Sequence, residues 1–200
     1  MTLQTKKNAD SRGSRASELA RAFVKELRRA STGELATLKR AAGHDLSTGT
    51  VAMTTFYAIL SRCKIWDPFK EQMLFLAGTL FPINPVIGKG NFGRTMRSVA
   101  LSDSVDGRIP DNIRRRFSTL IDSRIKTGEL AFKLRQCVRL AASKQVGINW
   151  EVLVDDLLAW HYESRPVQRR WARSFFFSKK TPLPERDATG KKDEMDDYEE

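Results

Sequence analysis

The chain has 200 residues, 40% hydrophobic and 30% charged, which describes a soluble globular protein with room for one core or two small ones. Its most apolar run, Met73 to Ile83, is too short to cross a bilayer and is broken by Gly78, Thr79 and Pro82, and Met1 to Ser17 lack the apolar core of a secretory signal, so a cytoplasmic location is expected. Two cysteines (Cys63, Cys137) and two histidines (His44, His161), all far apart, suggest neither a disulfide framework nor a zinc site, and no cofactor is expected.

Charge is the strongest compositional signal, with 35 Lys and Arg against 24 Asp and Glu and a formal net charge of +11. It is unevenly spread. Glu185 to Glu200 contain eight acids and three bases, so that stretch carries −5 and the rest of the chain +16. A body this basic attracts polyanions, nucleic acid first and an anionic membrane surface second.

In chain order, residues 1–15 read as a flexible N-terminus. Glu18 to Arg29 form an amphipathic helix with Leu19, Ala22, Phe23 and Leu27 inward. Ser31-Thr32-Gly33-Glu34 is a capping box that opens a short helix ended by Gly43, with Lys39 and Arg40 in its last turn, where positive charge also complements the helix dipole. Val51 to Cys63 continue the helical pattern through Phe56, Ile59 and Leu60. Asp67-Pro68 then launches a helix from Phe69 to Phe81, apolar on nearly every side and expected at the centre of a first core.

Gly88-Lys89-Gly90-Asn91-Phe92-Gly93 matches G-x-G-x-x-G, yet a proline-broken loop precedes it and helical patterns surround it. The strand–turn–helix context of a dinucleotide site is therefore absent. Two physical readings remain: exposed amides at a helix start beside Lys89, Arg94 and Arg97, suited to a phosphate, or a tight turn whose glycines serve packing.

Ser102 to Ile109 read as a hinge between bundles spanning 16–103 and 108–178. A helix from Asp111 buries Ile113, Phe117, Leu120 and Ile121 and leaves Arg114, Arg115 and Arg116 outside the apolar stripe, with Arg124 just beyond. Thr127 caps the next helix, which turns Leu130, Leu134, Cys137, Val138 and Ala141 inward and Arg135, Arg139 and Lys144 away. From Asn149, an N-cap, Trp150, Leu153, Val154, Leu157, Leu158 and His161 share one side of a helix, with Asp155 and Asp156 on a solvated face. Pro166 opens a last helix whose stripe is Val167, Trp171 and Phe175 and whose other face is Arg169, Arg170 and Arg173. Residues 179–200 read as a disordered acidic tail. The expected architecture is all-α: two small helical bundles, about nine helices, joined by a short loop.

The blocks N-F-G-x-x-x-R at Asn91 to Arg97, R-R-F-x-x-L-I at Arg115 to Ile121 and L-R-x-x-V-R-L at Leu134 to Leu140 occur in order, followed by D-L-x-x-W and R-x-W-A-R-x-F-F between Asp156 and Phe176. This series resembles the small subunit of the type I-E CRISPR Cascade complex, the CasB family, over nearly the whole chain apart from both termini. The acidic tail is longer than the family pattern needs. The resemblance implies an all-helical protein without a catalytic centre, present in two copies beside the backbone and large subunits. There its basic surface steadies the duplex of guide RNA and target DNA and the displaced strand of the R-loop, in antiviral defence. Because exchange of one duplex for the other is nearly balanced, backbone contacts that read no bases suffice to tip it.

A metal-dependent nuclease is disfavoured, since Asp155 and Asp156 are the one adjacent acidic pair in the helical body and diverge around their helix. A stand-alone helical DNA-binding regulator, with the Arg114 helix as recognition helix, is the alternative. A basic aromatic helix lying on a membrane, near Arg165 to Lys180, is a third reading; its aromatics are more simply explained as anchors of the last helix, and no membrane partner is expected. The expected nucleic-acid face combines Lys89, Arg94, Arg97, Arg114, Arg115 and Arg124, with Lys39, Arg40 and Arg135 as outer candidates.

Overall fold

The computed structural model describes residues 16–44, 46, 50–63, 67–102, 104, 107–125 and 128–177. Among them lie nine α-helices: α1 Glu18–Arg29, α2 Thr32–Arg40, α3 Thr50–Arg62, α4 Glu71–Leu80, α5 Phe92–Leu101, α6 Asp111–Ile121, α7 Glu129–Ser143, α8 Trp150–Leu158 and α9 Pro166–Phe176. A 3-10 turn at Phe81–Ile83 extends α4. The fold is all-α, and β structure among the described residues amounts to a parallel bridge between Ile87 and Ile148. The expected flexible N-terminus, the cap at Thr127 and the acidic tail fall outside the described residues.

Local chemistry sets the helix starts. Ser31 Oγ accepts from the Glu34 amide at 3.2 Å while Glu34 Oε2 accepts from the Ser31 amide at 2.7 Å, which is the capping box read from the sequence. The Ser31 amide, more than any other neighbour, holds the Glu34 carboxyl below the usual carboxylate range. Asn149 caps α8 through the Val152 amide. Asp67 acts differently from the expectation: Oδ1 accepts from the Phe69 amide at 3.1 Å, closing a turn over 68–70. The helix therefore starts at Glu71, and Phe69 is left 96% exposed. His161 also departs from the expected apolar side. Helix α8 stops at Leu158, the Trp160 amide turns back to the Leu157 carbonyl, and His161 lies exposed beyond the end.

Every residue from Leu74 to Leu80 in α4 is buried: α2 and α8 pack along this helix, Phe75 meets Phe56 of α3, and Gly78 lies against Phe23 and Leu27 of α1. Phe56 meets Phe23 and Phe75 edge-to-face, with ring centroids 6.2 and 5.4 Å away. Around α9, in turn, gather α5 and α6, with α7 against α5 and α6. The contacts thus cut across the boundary expected at 104–107. Helix α5 precedes it yet packs most heavily on α9, and α8 follows it yet packs on α4 and α1. Trp150 explains the return of α8, because its ring lies 5.5 Å from Phe81 and its Nε1 donates to the Asn84 carbonyl at 2.8 Å.

Asp156 corrects the expected solvated face of α8. It is 1% exposed and accepts from Trp171 Nε1 at 2.5 Å and from Arg170, so it ties α8 to α9. Burial pushes its carboxyl up, and the Arg170 guanidinium and the indole N–H pull it back. Asp155 points elsewhere and accepts from the Ser17 amide and hydroxyl at 2.6 and 2.5 Å, pinning the start of α1. Asp156→Ala removes the acceptor of a buried indole N–H and one partner of the ion pair, and is expected to cost about 3 kcal/mol in urea unfolding. Asp156→Asn, which keeps an acceptor, should cost less; equal losses would assign the effect to the pair with Arg170 alone.

Candidate nucleic-acid interface

The N-F-G-x-x-x-R block is the strip on which α9 docks. Asn91 caps α5, its Oδ1 accepting from the Arg94 amide, while its Nδ2 donates to Ser174 Oγ at 2.9 Å. The Phe92 ring lies 5.1 Å from that of Trp171. A Cβ on Gly93 would stand 2.1 Å from the Trp171 carbonyl oxygen, so the missing side chain is what lets the two helices approach. Arg97 Nη1 donates to the carbonyl of Phe175 at 2.7 Å, closing the C-terminus of α9.

The other glycines of the G-x-G-x-x-G match are also accounted for by packing. A Cβ on Gly88 would meet the Gly147 carbonyl at 2.2 Å, and Gly90 has φ +78° beneath the Arg94 side chain. The turn runs into the start of α5, with Lys89 and Arg94 exposed beside it.

The expected basic residues divide by the work they do. Arg97 is half-buried and occupied by α9. Arg114 is exposed and pairs with Asp111 at 2.6 Å. Arg94 on α5 and Arg115 on α6 are exposed and have no ion-pair partner among the described residues, and Arg124 is exposed just past α6. Lys39 and Arg40 are exposed at the end of α2, where Arg40 donates to Thr37 Oγ1. Arg135 is half-buried on α7, its stem against Gly43 and its Nε buried without an acceptor among the described residues. Arg135 therefore reaches Gly43, three residues beyond Arg40 at the end of α2, from a helix that packs on α5 and α6.

Where α6 begins and α9 ends lies a groove of about 600 Å³ lined by Arg108, Ile109, Pro110, Asp111, Arg114 and Phe176. Arg97 Nη1 also reaches the Phe176 carbonyl, at 3.4 Å, behind this wall. Sequence reasoning missed Arg108, taken as hinge, and Phe176, taken as a core anchor. A signal for Phe176 existed. With Phe175 on the stripe of Val167 and Trp171, the next residue is turned about 100° away, and Phe176 is 40% exposed where Phe175 is 0%.

Among the described residues no group of three His, Cys, Asp or Glu is placed to hold a metal ion, and no helix is long and apolar enough to cross a membrane.

The family model for CRISPR-associated protein Cse2 matches residues 34–176. The chain belongs to the Cse2 family, the CasB family of Cascade. It is 32% identical over 111 residues to the CRISPR-associated protein Cse2 of Thermus thermophilus, a match covering 56% of this chain and 60% of that protein. The crystal structure of M. ruber CasB superposes with a TM-score of 0.65 at 27% identity, covering 81% of this chain and 94% of that one. A Cse2-family crystal structure from Thermus thermophilus gives a TM-score of 0.65 at 25% identity, over 78% and 97% of the two chains. A chain of a CRISPR RNA-guided surveillance complex shares the fold, with a TM-score of 0.63 at 19% identity. Within this Cse2 chain the blocks that carried the resemblance are largely architectural: the residues of N-F-G-x-x-x-R meet α9, and the R-x-W-A-R-x-F-F block is α9 itself.

Proposed function

We propose that this Cse2-family chain is a non-catalytic subunit of a type I-E Cascade complex in the cytoplasm. It sits beside the backbone and large subunits and a second copy of itself, and steadies the guide RNA–target DNA duplex and the displaced strand by sequence-independent contacts to phosphates. The observation that carries this reading is the pair of exposed arginines, Arg94 and Arg115, without ion-pair partners among the described residues, on a body of charge +16. Guanidinium groups left unneutralised at a surface are suited to phosphate oxygens and release counterions on binding. The family match supports a complex subunit over a stand-alone regulator.

Arg94→Ala with Arg115→Ala should leave assembly with the guide RNA and the other subunits intact and weaken R-loop stability. Each lost phosphate contact is expected to flatten the log–log salt dependence of binding by roughly 0.7 to 0.9, with little change in sequence preference. A double variant that fails to assemble would make these arginines part of a subunit interface, and an unaltered salt slope would move the nucleic-acid face elsewhere. Strong preference for one operator-like sequence would favour the regulator.

A further inference from the structure

We infer that Pro85-Val86-Ile87 form an apolar tip that lies against the bases of a single strand of nucleic acid whose phosphates meet Lys89 and Arg94. The choice of ligand rests on the function proposed above. What is added is a contact to bases, beside the contacts to phosphates, at the Arg94 end of that face.

Exposure is the first observation. Pro85, Val86 and Ile87 follow one another on the surface, with Val86 50% and Ile87 68% exposed. One exposed aliphatic side chain is ordinary on a soluble protein, whereas three in succession make a patch. The run is not slack. The Val86 carbonyl accepts from the Ile148 amide at 2.9 Å and the Gly88 amide donates to the Ile148 carbonyl at 3.0 Å. Just ahead of it, Asn84 Nδ2 donates to the Val146 carbonyl at 2.9 Å while the Asn84 carbonyl accepts from Trp150 Nε1 at 2.8 Å. The two segments lie so close that a Cβ on Gly88 would stand 2.2 Å from the Gly147 carbonyl oxygen, and one on Gly147 would stand 2.4 Å from that of Ile87. A backbone clamped in this way loses little freedom when it binds, so the tip is preorganised.

The cations beside the tip identify its occupant. Lys89 stands two residues after Ile87, and the Arg94 side chain folds over Gly90, where an added Cβ would meet its Cδ at 2.8 Å. Both are exposed and without an ion-pair partner among the described residues. A ligand that carries anionic groups and apolar faces in alternation matches cations set next to an apolar tip, and a nucleotide strand is such a ligand. A protein partner fits less well, because a stable protein interface uses about 20–30 residues a side and this run offers three. Aliphatic side chains part neighbouring bases where they enter a stack. They read no hydrogen-bond code, so the contact tolerates any sequence, as steadying a strand requires.

The test uses the full chain and a short oligomer of ethenodeoxyadenosine, whose fluorescence rises as its bases unstack. Binding at about 50 mM salt should raise that fluorescence. Val86→Ser with Ile87→Ser should cut the rise at saturation by at least about half and weaken binding about fivefold, at an unchanged salt slope. Lys89→Ala with Arg94→Ala should do the reverse, flattening the log–log slope by roughly 0.7 per contact and leaving the rise at saturation. Ile87→Phe, which puts a flat ring on the tip, should tighten binding about threefold, a gain that a misfolded chain would not give. A serine variant that binds with the full rise and unchanged affinity overturns the base contact and leaves the phosphate contacts standing. One that keeps both yet no longer assembles with the other subunits overturns it in favour of a protein contact. An unaltered chain that does not bind the oligomer overturns the proposed function and this inference together.

Discussion

Trp171→Ala is expected to lower the free energy of unfolding by roughly 3–5 kcal/mol, measured as a shift in urea midpoint at unchanged slope. The residue is 0% exposed, its ring centroid lies 4.9 Å from that of Trp160 and 5.1 Å from that of Phe92, and its Nε1 donates to Asp156. Truncation removes the indole's transfer free energy and opens a cavity between α5 and α9. It also takes a hydrogen bond from a carboxylate that is 1% exposed. The last two losses compound the first, because the backbone contact at Gly93 limits how far the helices can collapse. A loss below about 1 kcal/mol would mean that α9 is not held by this side chain.

Gly93→Ala is expected to destabilise by about 3 kcal/mol or more, although alanine is the better helix former by about 1 kcal/mol. The added Cβ would stand 2.1 Å from the carbonyl oxygen of Trp171 and 2.7 Å from its Cα, which are backbone atoms that cannot rotate aside. Helix α5 must then retreat from α9 and loosen the Asn91–Ser174 and Arg97–Phe175 hydrogen bonds along with the Phe92–Trp171 contact. Gly33→Ala supplies the control. Nothing lies within 4 Å of its added Cβ, so the propensity gain should appear alone, as up to about 1 kcal/mol of stabilisation. Equal effects at the two positions would sink the close-approach account of Gly93.

The two predictions share a cause, the close approach of α5 and α9. That contact also decides the chemistry of Arg97. From the sequence, Arg97 is one of three cations beside a glycine-rich turn, indistinguishable in kind from Arg94 one helical turn earlier. In the fold Arg94 is exposed, while Arg97 spends its guanidinium on the Phe175 carbonyl. The difference comes from what faces each residue, which helical periodicity cannot report.

What the sequence by itself determined are the features governed by neighbours along the chain. The capping box at Ser31 and Glu34, the N-cap at Asn149 and the proline opening α9 all stand as read, because each is a matter of hydrogen bonds and backbone angles within four residues. So do the all-α class, the all-round apolar character of α4 and the burial of Phe117, Trp171 and Phe175, because apolar side chains at helical spacing have nowhere else to go. The ordered blocks also pointed to the family. Only the tertiary structure decided which distant partner each polar group meets: that Asp156 is buried under α9, that the glycines of a nucleotide-like motif are spacers between backbones, and that Arg108 and Phe176 wall one groove. A carboxylate or guanidinium carries the same local propensity whether it faces water or a carbonyl, so its role is set by contacts dozens of residues away in the chain, and those exist only once the helices have packed.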